Sequence, residues 1–216
     1  KIGHFDDSEP VLDFVGSKAL GELAPLGTSC PDHFLRTKIR PLVLGTEGGI
    51  ESVISRLDAA IAAYRDDYTR YYESCRHSDS PAMRDPNPVV YLVPGIGMIT
   101  FAKDKATARI AGEFYVNAIN VMRGASALGT YRGLPEQEAF DIEYWLLEEA
   151  KLQRMPKPKA LAGCIAFITG GGGGIGRATA ERLLSDGACV VLADIDLSAL
   201  DGAKADLSAR FGRDLV

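Results

Sequence analysis

Histidine and cysteine are scarce in this sequence, and their spacing limits the chemistry that they can support. The 216 residues contain three histidines and four cysteines, namely His4, His33, His77, Cys30, Cys75, Cys164 and Cys189. No two histidines form an H-x-H or H-E-x-x-H pair, and no two cysteines form a C-x-x-C pair. Histidine-based metal sites, zinc ribbons and dithiol redox motifs are therefore not expected within these residues. We predict no metal site in this chain.

Long apolar runs and a recognisable signal peptide are also missing. The apolar runs are too short to span a bilayer, and the stretch from Lys1 to Asp7 is acidic. The net charge of −5 argues against nucleic acid or an anionic membrane as the main partner. Cys164 and Cys189 lie in apolar strand patterns and are predicted to be small core residues. We expect a reduced cytoplasmic protein, and the lack of an initial methionine suggests a fragment or a processed form.

Glycine, by contrast, is concentrated in one stretch around which the chain is organised. An apolar run from Cys164 to Ile168 leads into Thr169 and the five glycines of 170–174, and a helical pattern follows Gly176. A second apolar run, 189–193, ends on Asp194. The order strand, glycine turn, helix, strand and acid predicts the start of a dinucleotide-binding unit. A flexible glycine linker is the alternative, but the flanking strand and amphipathic helix argue against it.

The glycine stretch and the acid together predict a cofactor site. Gly170 would permit the tight turn, Gly174 would let the backbone approach a pyrophosphate, and Gly176 would let the helix pack closely. The carboxylate of Asp194 can bind the adenosine ribose and would repel a 2′-phosphate, while Ile195 brings no cation, so we predict NAD rather than NADP. The predicted cofactor-binding residues are Gly170, Gly172, Gly173, Gly174, Ile175, Gly176, Asp194 and Ile195.

This stretch resembles the opening of a short-chain dehydrogenase/reductase. The likeness covers residues 161–216 and rests on Thr169-Gly170-xxx-Gly174-Ile175-Gly176, preceded by Leu161-x-Gly163. It implies a Rossmann-type parallel sheet, of which residues 161–216 would supply the first β-α-β-α units and the beginning of a third strand at 214–216. The catalytic Tyr-x-x-x-Lys of that family occurs nowhere in the 216 residues, so we assign no catalytic residue here.

The first part of the chain carries no catalytic constellation, and its pattern predicts alternating helices and strands. We predict strands at 9–16 and 34–44, a long helix from Ile50 to about residue 75, and a hairpin over 89–101. Further helices are predicted from Lys105 to about Arg123 and from Pro135 to about residue 154. On a strand, Arg36, Lys38 and Arg40 would share one face, as a phosphate site or, by the simpler interpretation, a solvated basic face.

The Pro-Lys-Pro-Lys segment of residues 156–159 predicts a linker, because its two prolines end a helix and favour extended backbone. We predict an aldolase-like region with connecting helices over 1–155, a linker over 156–160 and an NAD-binding domain over 161–216. The overall fold class predicted is α/β.

Three segments in the first part, at 26–38, 80–88 and 136–145, resemble bifunctional class II aldolase/short-chain dehydrogenases of the rhamnulose-1-phosphate aldolase/lactaldehyde dehydrogenase type. The resemblance implies an aldolase whose metal-binding histidines lie outside this chain, joined to an NAD-dependent oxidoreductase that acts on a small hydroxyaldehyde. It also implies carbohydrate metabolism, a homo-oligomer and a small-molecule substrate. We expect the fragment itself to be inactive. The alternative from another class is a non-catalytic nucleotide-binding or scaffolding protein.

Overall fold

The computed structural model describes residues 1–154 and 156–216 and has the predicted mixed α/β architecture. Contacts divide the chain into two compact units, one of residues 4–101 and 109–154, the other of residues 1–3, 102–108 and 156–216. The predicted domain limits of 1–155, 156–160 and 161–216 stay a prediction, and Met155 lies outside the described residues. Among the described residues, no helix is both long and apolar enough to cross a membrane.

Residues 1–154 contain four strands, seven α-helices and one short 3-10 helix within the described range. In chain order they are β1 (Ile2–Asp6), α1 (Glu9–Val15), α2 (Leu20–Leu23), the 3-10 helix (Ala24–Leu26), α3 (Pro31–Thr37), β2 (Leu42–Val43), α4 (Gly49–Cys75), β3 (Val90–Val93), β4 (Gly97–Ala102), α5 (Lys105–Leu128), α6 (Glu136–Glu143) and α7 (Leu146–Arg154). The strands form one sheet in the order β1-β4-β3-β2.

Three predicted elements in this part are confirmed. The long helix is α4, and the hairpin is β3–β4, with Val93 opposite Gly97 next to the turn. Helix α5 begins at Lys105, where the Asp104 carboxylate accepts a hydrogen bond from the Thr107 N–H at 2.8 Å, and it extends five residues beyond the predicted end. The two helices share regular periodicity over a long stretch.

The strand predicted at 9–16 is wrong, because these residues form helix α1. Pro10 stands in the first turn of this helix, a position that proline favours. Val11, Phe14 and Val15 are all buried on one helix face, so the apolar spacing was helical rather than alternating.

The strand predicted at 34–44 is also wrong for most of its length. Residues 31–37 form helix α3, and only Leu42 and Val43 form a strand, which pairs in parallel with β3. Lys38 ends the helix with φ 63° and ψ 178° and is buried. The basic residues Arg36, Lys38 and Arg40 therefore do not share the face of a strand.

The helix predicted from Pro135 to residue 154 is broken into α6 and α7 at Tyr144 and Trp145. Tyr144 has φ −107° and ψ 23°, outside the helical region. Glu143 and Tyr144 are buried there, whereas α7 buries none of its residues. The helical spacing is continuous in the sequence, but the chain leaves the helical conformation where the end of α6 is buried.

Residues 161–216 fold as β5 (Ile165–Thr169), α8 (Gly174–Ser185), β6 (Cys189–Ala193) and α9 (Leu197–Phe211), as predicted. Ala180, Leu184, Val190 and Leu207 form the core of this segment. Within the described residues no third strand forms at 214–216, although the Val190 N–H donates a hydrogen bond to the Leu215 carbonyl at 2.8 Å.

The prediction that both strand cysteines are core residues is half wrong. Cys189 is buried, but Cys164 is exposed one residue before β5 begins. Alternate side chains of a strand point to opposite faces; Ile165 and Phe167 are exposed, whereas Ala166 and Ile168, on the face that Cys164 would share, are half-buried. An apolar pattern alone does not say which face of the sheet is covered.

Candidate functional site

The glycine turn and Asp194 lie at the same edge of the β5–β6 sheet. The two strands are parallel and in register from Ile165 opposite Cys189 to Thr169 opposite Ala193. Because both strands end at the same level, the residues that follow them leave the sheet together. The Gly171 N–H then donates to the Ala193 carbonyl at 3.0 Å, which extends the ladder by one bond.

The turn after β5 is narrow and depends on Gly170. This residue has φ 69°, a left-handed conformation that glycine adopts without a steric penalty. Its carbonyl accepts a hydrogen bond from the Gly173 N–H at 3.1 Å, which closes the turn. Helix α8 begins at the next residue, Gly174, so the turn delivers the chain directly into a helix N-terminus.

The glycines at 174 and 176 have opposite surroundings. A Cβ on Gly176 would lie 2.1 Å from the Gly170 carbonyl oxygen, so the start of α8 touches the turn backbone. A Cβ on Gly174 would meet nothing within 4 Å. The first helical N–H groups have no carbonyl partner within their helix, and together with the helix dipole they favour an anion. The open side at Gly174 leaves room for one.

Asp194 is hydrogen-bonded by the backbone on both of its carboxylate oxygens. Oδ2 accepts from the Gly172 N–H at 2.9 Å, and Oδ1 accepts from the Asp196 N–H at 3.1 Å. These N–H groups stabilise the charged form, so they hold the pKa of Asp194 below its usual range. Each oxygen retains a lone pair that can accept a further hydrogen bond, for instance from a hydroxyl group.

Gly171, Asp196 and Ala199 lie at the same edge of the sheet, and the motif does not predict them. Asp196 caps α9, its side chain accepting from the Ala199 N–H at 3.0 Å. A Cβ on Gly172 would lie 2.9 Å from the backbone of Ala199, so the turn packs directly on the first turn of α9. An Asp immediately before a helical pattern is an N-cap signal that could have identified Asp196.

The remaining predicted residues line the same edge. The side chain of Ile195 is 100% exposed and that of Ile175 is 88% exposed, values that are unusual for isoleucine. Arg177, the nearest cation along the helix, is paired with Asp206 of α9 at 2.9 Å. Its charge therefore already has a partner on α9.

The histidines show no grouping that could hold a metal ion. His33 is buried, its Nε2 3.3 Å from the Asn117 side chain and its ring edge-on to Phe114. His77 is exposed and lies 2.8 Å from Asp141. Among residues 1–154 and 156–216, no three His, Cys, Asp or Glu side chains cluster as metal ligands would.

Comparisons with known proteins match the two parts of the chain to two families. Residues 1–152 match the family model described as aldolase class II, second domain, and residues 164–216 match that of the short-chain dehydrogenases. An uncharacterized oxidoreductase of Bacillus subtilis (strain 168), YuxG, is 33% identical over 212 residues, which are 97% of this chain and 31% of the relative. The chain thus spans about a third of that relative's length. No solved structure matches the chain significantly.

Proposed function

The chain belongs to the aldolase class II, second domain, family and carries a short-chain dehydrogenase segment fused to it, and on this premise we propose that it is part of a bifunctional class II aldolase and NAD-dependent oxidoreductase. The oxidoreductase name of a relative that is similar along nearly the whole chain supports this proposal. In such a protein the aldolase would release a small hydroxyaldehyde, and the dehydrogenase would oxidise it or reduce a related carbonyl.

The observation that carries the proposal is the placement of Asp194 beside the glycine turn, at 2.9 Å from the Gly172 N–H. We assign the ribose hydroxyls to the carboxylate of Asp194 and the pyrophosphate to the first turn of α8 at Gly174. Ile195 and Ile175 are assigned to the apolar surfaces of the bound dinucleotide. When bound, the nicotinamide cofactor supplies the hydride-transfer chemistry.

The same residues favour NAD over NADP in this proposal. A 2′-phosphate would bring close to two negative charges against the Asp194 carboxylate, whose depressed pKa keeps it ionised at neutral pH. Ile195 and Asp196 follow it, and neither can compensate that charge. The nearby guanidinium of Arg177 is paired with Asp206.

The test is the formation of reduced cofactor in the intact parent protein. We expect the parent to reduce NAD in the presence of small hydroxyaldehydes such as lactaldehyde or glyceraldehyde, and to do so much more slowly with NADP. The 216-residue chain, which has no Tyr-x-x-x-Lys, should not turn over. Turnover by the purified 216-residue chain that is sensitive to mutation within it, or a parent protein that prefers NADP, would contradict the proposal.

A further inference from the structure

A groove of about 370 Å³ runs along α4. Its lining includes Ala63 and Tyr64 of α4 together with Pro25, Pro41 and Val43. The volume falls within the range of small-molecule sites, and the walls are mainly apolar and ring-shaped side chains, as such sites usually are. All residues of the groove belong to the unit of residues 4–101 and 109–154, and none of them belongs to the unit that contains the glycine turn.

The floor of the groove is fixed by a buried carboxylate. Tyr68 and Tyr71 line the groove, and their hydroxyls donate to the two oxygens of Glu143 at 2.5 and 3.2 Å. The Tyr68 and Tyr144 hydroxyls are 2.7 Å apart. Glu143 is 1% exposed. Aromatic rings held in this way do not have to be ordered when a ligand arrives, which favours binding.

Strained backbone lies behind the same floor. Lys38 has φ 63° and ψ 178°, a region that is populated almost entirely by glycine. Its Nζ lies 3.7 Å from the centre of the Tyr68 ring, and it donates a hydrogen bond to the Asp85 carbonyl. Such strain persists where the surroundings over-determine a conformation, and ligand sites are common among those places. Here the strained residue holds a buried cation under one of the rings that line the groove.

The rim of the groove carries one cation and one anion, and each has a partner. The Arg40 guanidinium donates to the Pro25 carbonyl at 2.7 Å and to the Glu136 carboxylate at 2.8 Å. Asp67 is paired with Arg70. Because both of these charges already have partners and the other lining residues are apolar or tyrosine, a charged ligand would gain no uncompensated counter-ion from the lining.

An uncharged polar group would fit the rim better than a charged one. Two of the five N–H donors of Arg40 are used by Pro25 and Glu136, and one Asp67 oxygen faces Arg70. The rim can therefore offer a ligand both a donor and an acceptor. A carboxamide carries both an acceptor and a donor and can therefore use both residues without bringing a charge.

We propose that the groove along α4 is a binding site for a neutral, ring-shaped small molecule whose edge carries both a hydrogen-bond donor and an acceptor. Tyr68 and Tyr71 of α4 thus contact Glu143 through their hydroxyls and contact the ligand through the part of each side chain that lines the groove. This site is independent of the dinucleotide site and of the proposed oxidoreductase activity.

The ligand class is tested with three probes of one shape, benzamide, benzoate and benzamidine, which differ in charge. Ligand-observed saturation-transfer NMR on the 216-residue chain, followed by titration, gives their relative affinities. We expect benzamide to bind more tightly than both charged analogues. If either charged analogue binds as tightly as benzamide, or if none of the three binds, the proposal is wrong.

The location is tested with a pair of substitutions on α4. Ala63 lines the groove and Ala62 does not, and both are exposed. We expect Ala63→Phe to weaken benzamide binding at least tenfold and Ala62→Phe to leave it unchanged, with similar melting temperatures. Should Ala63→Phe fail to fold, Val43→Phe, at another residue of the lining, provides a second blocking variant. Unchanged benzamide binding in a folded blocking variant would overturn the assignment.

Discussion

The backbone N–H of Gly172 donates a hydrogen bond to Oδ2 of Asp194 at 2.9 Å, so the turn after β5 is tied directly to the residue that ends β6. The other oxygen of Asp194 accepts from the Asp196 N–H, at the start of α9. One carboxylate therefore holds two backbone segments that approach the proposed cofactor. Its position is set by the fold before any ligand binds.

The first prediction separates this positioning role from ribose binding. In Asp194→Asn only one side-chain oxygen remains, so the N–H of either Gly172 or Asp196 loses its acceptor. We expect faster amide hydrogen exchange at one of these two residues without cofactor, measured by NMR on the 216-residue chain. Exchange at Leu184, in the core of the same unit, serves as the control. Equal exchange at Gly172 and Asp196 in both proteins would show that the carboxylate does not order the turn.

The pH dependence of the same contact follows from the direction of the pKa shift. The pKa of Asp194 is lowered in the folded chain. Its contribution to the stability of the fold is therefore present above the ordinary pKa of 3.8 and is lost as the pH falls through the lower folded pKa. We expect the Gly172 amide to remain protected at about pH 5 and above and to lose protection only at pH values below 3.8, the ordinary aspartate value. Loss of protection near neutral pH would contradict this interpretation.

The second prediction compares two glycines of one turn. Gly176→Ala would place a Cβ 2.1 Å from the Gly170 carbonyl oxygen, whereas Gly174→Ala would meet nothing within 4 Å. We expect Gly176→Ala to cost about 1–3 kcal/mol of the free energy of unfolding, as overpacking usually does. Gly174→Ala should leave the melting temperature nearly unchanged. In the intact parent protein it should weaken NAD binding, because the added methyl group occupies the open side of the turn. Equal thermal stability of the two variants would mean that the turn is looser than described.

The third prediction concerns Glu143. Burial raises the pKa of Glu143 in the folded chain above its ordinary value of 4.5, so the folded state binds the proton more tightly than the unfolded state does. The free energy of unfolding should therefore fall as the pH rises from about 4.5 to the folded pKa, by about 1.4 kcal/mol for a pKa raised by one. The groups that face this carboxylate are Tyr68, Tyr71, Tyr144, Lys38 and Arg84.

Urea denaturation of wild type and Glu143→Gln between pH 4.5 and 8 measures this effect. Glutamine cannot ionise, so the stability of wild type relative to the variant should decline across that range. Other titrating groups contribute equally to both proteins and cancel in the difference. A difference that is constant with pH, or that grows with pH, would show that the hydroxyls of Tyr68 and Tyr71 and the charge of Lys38 outweigh the cost of burial.

The fourth prediction concerns residues 156–216 expressed alone. One face of the β5–β6 pair exposes Ile165, Phe167 and Val191, at 63%, 68% and 47%. Parallel sheets are normally covered on both faces, and a domain of this size is marginal. We expect the isolated segment to melt without cooperativity or to aggregate, as followed by circular dichroism and light scattering. Phe167→Lys should reduce the aggregation. A sharp cooperative transition of the unmodified segment would refute this expectation.

Long periodic segments of the fold could be predicted from the sequence. Helices α4 and α5 and the β5-α8-β6-α9 order follow from regular spacing, which local propensity and burial reinforce. The short elements α1 and α3 could not be assigned from periodicity, because seven residues span only about two helical turns. Proline in the first turn of each helix is the more specific sequence signal.

The candidate site could be located but not completed from the sequence. Gly170 and Asp194 follow from a motif whose spacing has a physical reason, and the structure places them at one edge of a sheet. The links of Asp194 to Gly172 and to Asp196 depend on the register of two strands, which no linear pattern specifies. The buried contacts of Glu143 join residues 72 or more positions apart, and only the folded chain reveals them.

The discrimination between NAD and NADP by Asp194 tests the central proposal most directly. Calorimetric titration of both cofactors into the intact parent protein and its Asp194→Ala variant gives four dissociation constants. We predict that wild type binds NAD more tightly than NADP, and that Asp194→Ala weakens NAD binding by roughly ten- to a hundredfold while changing NADP binding little. If wild type binds NADP as tightly as NAD, or if the ratio of the two affinities is unchanged in Asp194→Ala, Asp194 is not the discriminating residue and the assigned cofactor site is wrong.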